Sequence, residues 1–172
     1  MGGTEQRPQD LRYARWTGAT WITETVDGAG DVGLFSSLAL DDADNPHISY
    51  FDSTHGDLKY ARRTGMAWST EVVDDADTVG AYSSLALDGR GHPHISYYRS
   101  TYGGLKYAHW TGGEWITQTI TVAWNVGSHT SLALDGADHP HIGFYDGDYR
   151  DLLLAVSKTT WVHIPLVERG GP

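Results

Sequence analysis

The sequence predicts an all-β protein built from repeated four-stranded antiparallel sheets, and three observations carry that prediction. The first is a period of 47 residues: Leu11-Arg12-Tyr13-Ala14 returns as Leu58-Lys59-Tyr60-Ala61, as Leu105-Lys106-Tyr107-Ala108, and in worn form as Leu152-Leu153-Leu154-Ala155. A unit of that length is one supersecondary module that buries its apolar faces only against its neighbours. The second is composition, rich in Tyr, Trp, Val, Ile, Thr and Gly with no long helical pattern. The third is a gradient of side-chain size. The Ser-Leu-Ala-Leu strand of each repeat is small, whereas the fourth strand opens on a Trp (Trp21, Trp68, Trp115, Trp161). Sheets arranged radially need small side chains at the centre and bulky ones at the rim, as in the blades of a β-propeller, so the four Trp are expected to be substantially buried.

The elements of one repeat follow in order. Ser84-Leu85-Ala86-Leu87-Asp88 alternates and meets the turn Gly89-Arg90-Gly91-His92. Pro93 opens the next strand, where a missing amide donor is tolerated, and His94-Ile95-Ser96-Tyr97-Tyr98 continues it. After the loop 99–104 come Leu105 to His109, the tight turn Thr111-Gly112-Gly113-Glu114, and Trp115 to Ile120. Four strands joined by short turns make an antiparallel meander, and a connection such as 74–82 leads into the next copy. Counting from the Ser-Leu-Ala-Leu strand as innermost, the chain holds a half blade at 11–27 and blades at about 36–74, 83–121 and 130–168. Residues 1–10 form an arm and 169–172 a tail. About three and a half blades cannot close a ring, so the expectation is a homodimer or higher oligomer that covers the exposed blade faces.

The Gly-x-x-Trp hairpins, Gly18 to Trp21, Gly65 to Trp68 and Gly112 to Trp115, resemble the tail of the Asp-box, the bacterial neuraminidase repeat. In that family the box joins the third and fourth strands of a blade. Ala14 and Trp16, Ala61 and Arg63, and Ala108 and Trp110 stand where the box has Ser and Asp. The whole repeat is also similar to propeller repeats of bacterial and archaeal surface proteins, a resemblance that implies a secreted or cell-surface location and, by way of propeller lectins, carbohydrate binding.

Charge and composition narrow the partners. The formal net charge is −10 with no local Lys/Arg cluster, which disfavours nucleic acid. The absence of cysteine removes disulfides and thiolate metal sites. No apolar run has the length to span a bilayer, and the first eight residues lack the basic head and apolar stretch of a signal peptide. No cofactor is expected. His92 with His94 and His139 with His141 flank prolines at a spacing that could offer two imidazoles to one ion, yet His47, His94 and His141 recur with the framework and read as packing residues. Asp41, Asp42, Asp44 and Asn45 lack the spaced Glu of a calcium loop and suit a turn.

Candidate ligand residues come from the loops expected on one side of the disc. The second-to-third-strand loops carry His55, Tyr102 and Tyr149, with Arg99 and Arg150 beside them; the connections between blades carry Asp74, Trp124 and Tyr82. Flat rings beside carboxylates and guanidiniums suit a sugar, whose C–H faces stack while its hydroxyls pair with charged groups. The expected function is therefore a non-enzymatic, lectin-like module binding glycans at repeated sites between blades. The alternative is a scaffold propeller whose only property is assembly. A hydrolase of the sialidase kind would need an arginine cluster and paired acid and nucleophile near the channel, and the Ser-Leu-Ala-Leu strands supply neither.

Overall fold

The computed structural model describes residues 9–156 and arranges them as four antiparallel sheets. The first pairs β1 (Leu11–Trp16) with β2 (Trp21–Asp27). The second runs β3 (Val32–Leu40), β4 (Pro46–Asp52), β5 (Asp57–Thr64) and β6 (Ala67–Asp74) in simple order. The third repeats it with β7 (Val79–Leu87), β8 (Pro93–Arg99), β9 (Leu105–Trp110) and β10 (Trp115–Thr119). The fourth holds β11 (Val126–Leu134), β12 (Pro140–Asp146) and β13 (Asp151–Val156). Both complete sheets have the four strands per repeat that the sequence predicts. The expected fourth strand of the fourth sheet, with Trp161, and the predicted arm and tail fall wholly or largely outside the described residues.

The core is divided among the seams between successive sheets. Leu11, Val26, Val32, Ile48, Tyr50 and Ala61 fill the first seam. Leu58, Tyr60, Val79, Leu85, Ile95 and Tyr97 fill the second, and Leu105, Tyr107, Val126, Leu132, Ile142 and Phe144 the third. Each module therefore gains its apolar burial from the next, which is why the repeat period governs the architecture.

Small residues on the first strands do more than save space. Leu85 N donates to Ser37 Oγ at 3.0 Å and Leu132 N to Ser84 Oγ at 3.0 Å. Ser83 Oγ donates to the Phe35 carbonyl at 2.9 Å, and Thr130 Oγ1 to the Tyr82 carbonyl at 2.8 Å. Strands that belong to different sheets are thus tied by hydroxyl rungs. Close approach needs glycine as well: a Cβ on Gly80 would stand 2.8 Å from Leu58 Cα, and Gly80 has φ of +105°.

Two details differ from the sequence expectation. The first strand of each of the last three sheets begins earlier, at Val32, Val79 and Val126, because a bulge lets it continue past the residues expected as connection. The bulge holds Phe35, Tyr82 and His129 at φ of 53°, 54° and 52°. Substantial burial was expected of the Trp at each fourth-strand start. Trp68 and Trp115 are half-buried, packed across a seam, but Trp21 is 66% exposed because no described sheet covers that face.

Candidate functional site

The strand order gives the molecule two sides. One gathers the β4–β5 and β8–β9 loops with the connections between sheets, as predicted, and backbone bonds join them: Ser53 N donates to the Asp31 carbonyl at 2.9 Å, and Ser100 N to that of Thr78 at 2.7 Å. The other gathers the turns after β3, β7 and β11 and the hairpins after β5 and β9.

On the loop side the predicted residues separate into two groups. His55, Tyr102, Tyr149, Arg150 and Trp124 are exposed. His55 Nδ1 lies 2.9 Å from the buried Asp52 carboxylate, and the Arg99 guanidinium lies 5.4 Å from the Tyr102 ring centre. The remaining two belong to the framework. Tyr82 stands in a column of rings, 4.5 Å from Phe35 and 4.2 Å from His129 between centroids. Asp74, expected as an exposed carboxylate, is buried: Tyr97 hydroxyl donates to it at 2.5 Å and Lys106 ammonium closes an ion pair on the same oxygen. Asp27, Tyr50 and Lys59 repeat this staple one seam earlier, at 2.7 and 2.5 Å. Sequence reasoning placed Asp74 on a connection; it is the last residue of β6, facing the next sheet.

The opposite side holds a groove of about 760 Å³ between the second and third sheets. Pairing sets its walls. Tyr60 lies opposite Glu71, and Arg62 is two residues further along β5, so all three share the face turned toward the third sheet. Trp110, at the end of β9, faces them from that sheet and is half-buried, while Arg62 and Glu71 are exposed. Tyr60 packs edge-on against Trp115 at 5.4 Å, and Trp115 against Trp110 at 5.6 Å, which fixes the indole from behind. None of the eight residues predicted from the loops lines this groove.

Its lining mixes charges, with Asp41, Asp42, Glu71 and Asp88 beside Arg62, Arg63 and Arg90. Asp41 Oδ1 accepts from Ala43 N at 2.9 Å and Asn45 N at 2.8 Å, and Oδ2 from Asn45 Nδ2 at 2.9 Å. These bonds to Asn45 hold its pKa down to about 2. The Asp cluster at 41–45 is thus turn chemistry, as its composition implied. His47 on the floor is held below its ordinary pKa chiefly by burial. Its Nδ1 meets the Tyr60 hydroxyl and its Nε2 faces Asp41 at 3.6 Å. The same chain recurs as Asp88, His94 and Tyr107, with the His and Tyr buried and the Asp half-buried in both sheets. Among the described residues no three His, Asp or Glu side chains converge as metal ligands.

The seam between the first and second sheets has the same plan with different residues. Arg63 takes the place of Trp110 and pairs with Glu24 at 3.1 Å, closing that site with an ion pair. The informative sequence signal was therefore the variable position at the third-strand end, Trp16, Arg63 and Trp110, noted above as a departure from the Asp-box.

No known protein family matches the sequence, and no curated protein matches it. Among solved structures, the chain is similar to a fucose lectin from Kordia zhangzhouensis determined in complex with methyl-fucoside, with 18% sequence identity and a TM-score of 0.54. The similarity covers 76% of this chain and 96% of that one. At that identity the likeness is one of fold.

Proposed function

We propose that this chain is a non-enzymatic, lectin-like module whose sheets are the blades of a propeller arc, and that it binds carbohydrate in grooves between blades. The observation that carries this reading is the meeting of Trp110 from one sheet with Arg62 and Glu71 from the one before. An indole face stacks on the C–H surface of a pyranose, while a guanidinium and a carboxylate take two hydroxyls as donor and acceptor. The likeness of fold to a fucose lectin supports the class, and a deoxy-sugar such as fucose is the first ligand to try. The groove side is favoured over the loop side because Trp110 is braced by Trp115, whereas Tyr102 and Tyr149 stand on loops with 52% and 63% of their surface exposed.

A glycan array probed with the labelled protein tests this directly. Retention on a defined set of glycans, lost in Trp110→Ala and kept in Tyr102→Ala, supports the groove. Loss only in Tyr102→Ala or Tyr149→Ala moves the site to the loops, and no retention on any glycan contradicts the reading. The second reading, a self-assembling scaffold, is favoured by the exposed Trp16, Trp21, Leu152 and Leu154 on the two end sheets.

A further inference from the structure

The first two internal seams follow one rule, and the two free faces of the arc fit that rule together. A third-strand Tyr of one sheet packs on the fourth-strand Trp of the next: Tyr13 on Trp68 at 5.5 Å and Tyr60 on Trp115 at 5.4 Å. Two residues along the third strand, the same face carries a basic side chain, Arg15, Arg62 or His109. On the fourth sheet these positions are Leu154 and Val156. Both have become apolar, although Leu154 is 57% exposed and packs against no other described sheet. The complementary positions on the first sheet are Trp21, at the Trp68 and Trp115 position, and Trp16, at the Arg63 and Trp110 position. They lie 5.7 Å apart and are 66% and 53% exposed.

We infer that the β13 face of one copy and the Trp16–Trp21 face of a second copy are the two halves of one seam, formed twice so that two chains close a ring. The inference rests on the propeller reading above. An exposed strand face ordinarily carries polar side chains, and the internal seams are polar at one of these two positions and half-polar at the other. Replacing both by Leu and Val opposite a pair of indoles is favourable only where water is excluded. A face that follows the register of the internal seams selects a copy of this chain, because only such a copy presents the Trp pair at the matching repeat positions. Leading face against trailing face is a heterologous contact, and a two-fold axis along the channel closes it without leaving an apolar face uncovered.

The absence of cysteine from the chain permits a clean test. Trp21→Cys and Leu154→Cys are prepared separately, mixed, and treated with a short thiol-to-thiol crosslinker. Covalent dimer formed in the mixture and not in either variant alone is the expected result, alongside a two-chain mass for the parent protein by sedimentation at micromolar concentration. Both positions are exposed, so folding is retained and is checked by circular dichroism. A monomeric parent protein, or crosslinking no faster in the mixture than in the separate variants, overturns the inference. The groove at Trp110 lies within one chain, so sugar binding by a monomer fails the ring alone, and a dimer that binds no sugar fails the carbohydrate reading alone.

Discussion

Buried charge separates the framework residues from the candidate site. Asp74, Tyr97 and Lys106 satisfy one another inside a seam, and the next repeat places Thr121, Phe144 and Leu153 at the same positions, an apolar solution to the same space. Removing one member leaves the others desolvated, so Lys106→Leu alone is expected to cost about 3–5 kcal/mol in chemical denaturation. The triple replacement Asp74→Thr, Tyr97→Phe, Lys106→Leu recovers most of it, because it copies the arrangement the protein already uses; a triple variant as unstable as the single one contradicts this account. The histidines give a second expectation. His47, His94 and His109 are all held below the ordinary imidazole value of 6.5, chiefly by burial. Their unfolded forms bind protons that the folded forms refuse, so their contribution to stability is complete above pH 6.5 and is lost as the pH falls below it. Thermal midpoints should therefore drop between pH 7 and pH 5, and His94→Gln should flatten that slope.

At the scale of the element, the first strand of each sheet decides how closely the modules stack. Gly80 lets β7 lie against Leu58, and its positive φ excludes a side chain on a second count. Gly80→Ala is expected to destabilise by about 1–3 kcal/mol, read as a lower denaturation midpoint with strand content unchanged. The four-strand meander and its hairpins were legible in the sequence, because turn residues and alternation recur at each repeat. The bulge at Phe35, Tyr82 and His129 was not, since nothing local distinguishes an aromatic residue in the left-handed region from one in a strand. Asp74 was misplaced for a related reason: its partners Tyr97 and Lys106 lie 23 and 32 residues away, and only the stacking of sheets brings them together.

For the whole molecule, the proposed function depends on what neighbouring sheets offer each other across a seam. Arg62 and Glu71 stand on adjacent strands of one sheet, yet the ring that completes their site belongs to the next. Reading along the chain found the repeated framework, whereas the groove lies where the repeat varies, at Trp16, Arg63 and Trp110. That variation gives one seam an ion pair, another an aromatic wall, and the first sheet an exposed pair of indoles. The central claim is that the groove between the second and third sheets holds a sugar. Titration calorimetry with methyl-fucoside on the parent protein, Trp110→Ala and Tyr102→Ala tests it most directly. The account predicts saturable binding to the parent protein, binding weakened by about 1–3 kcal/mol in Trp110→Ala, and an unchanged affinity in Tyr102→Ala. Equal affinity in the parent protein and Trp110→Ala would contradict it.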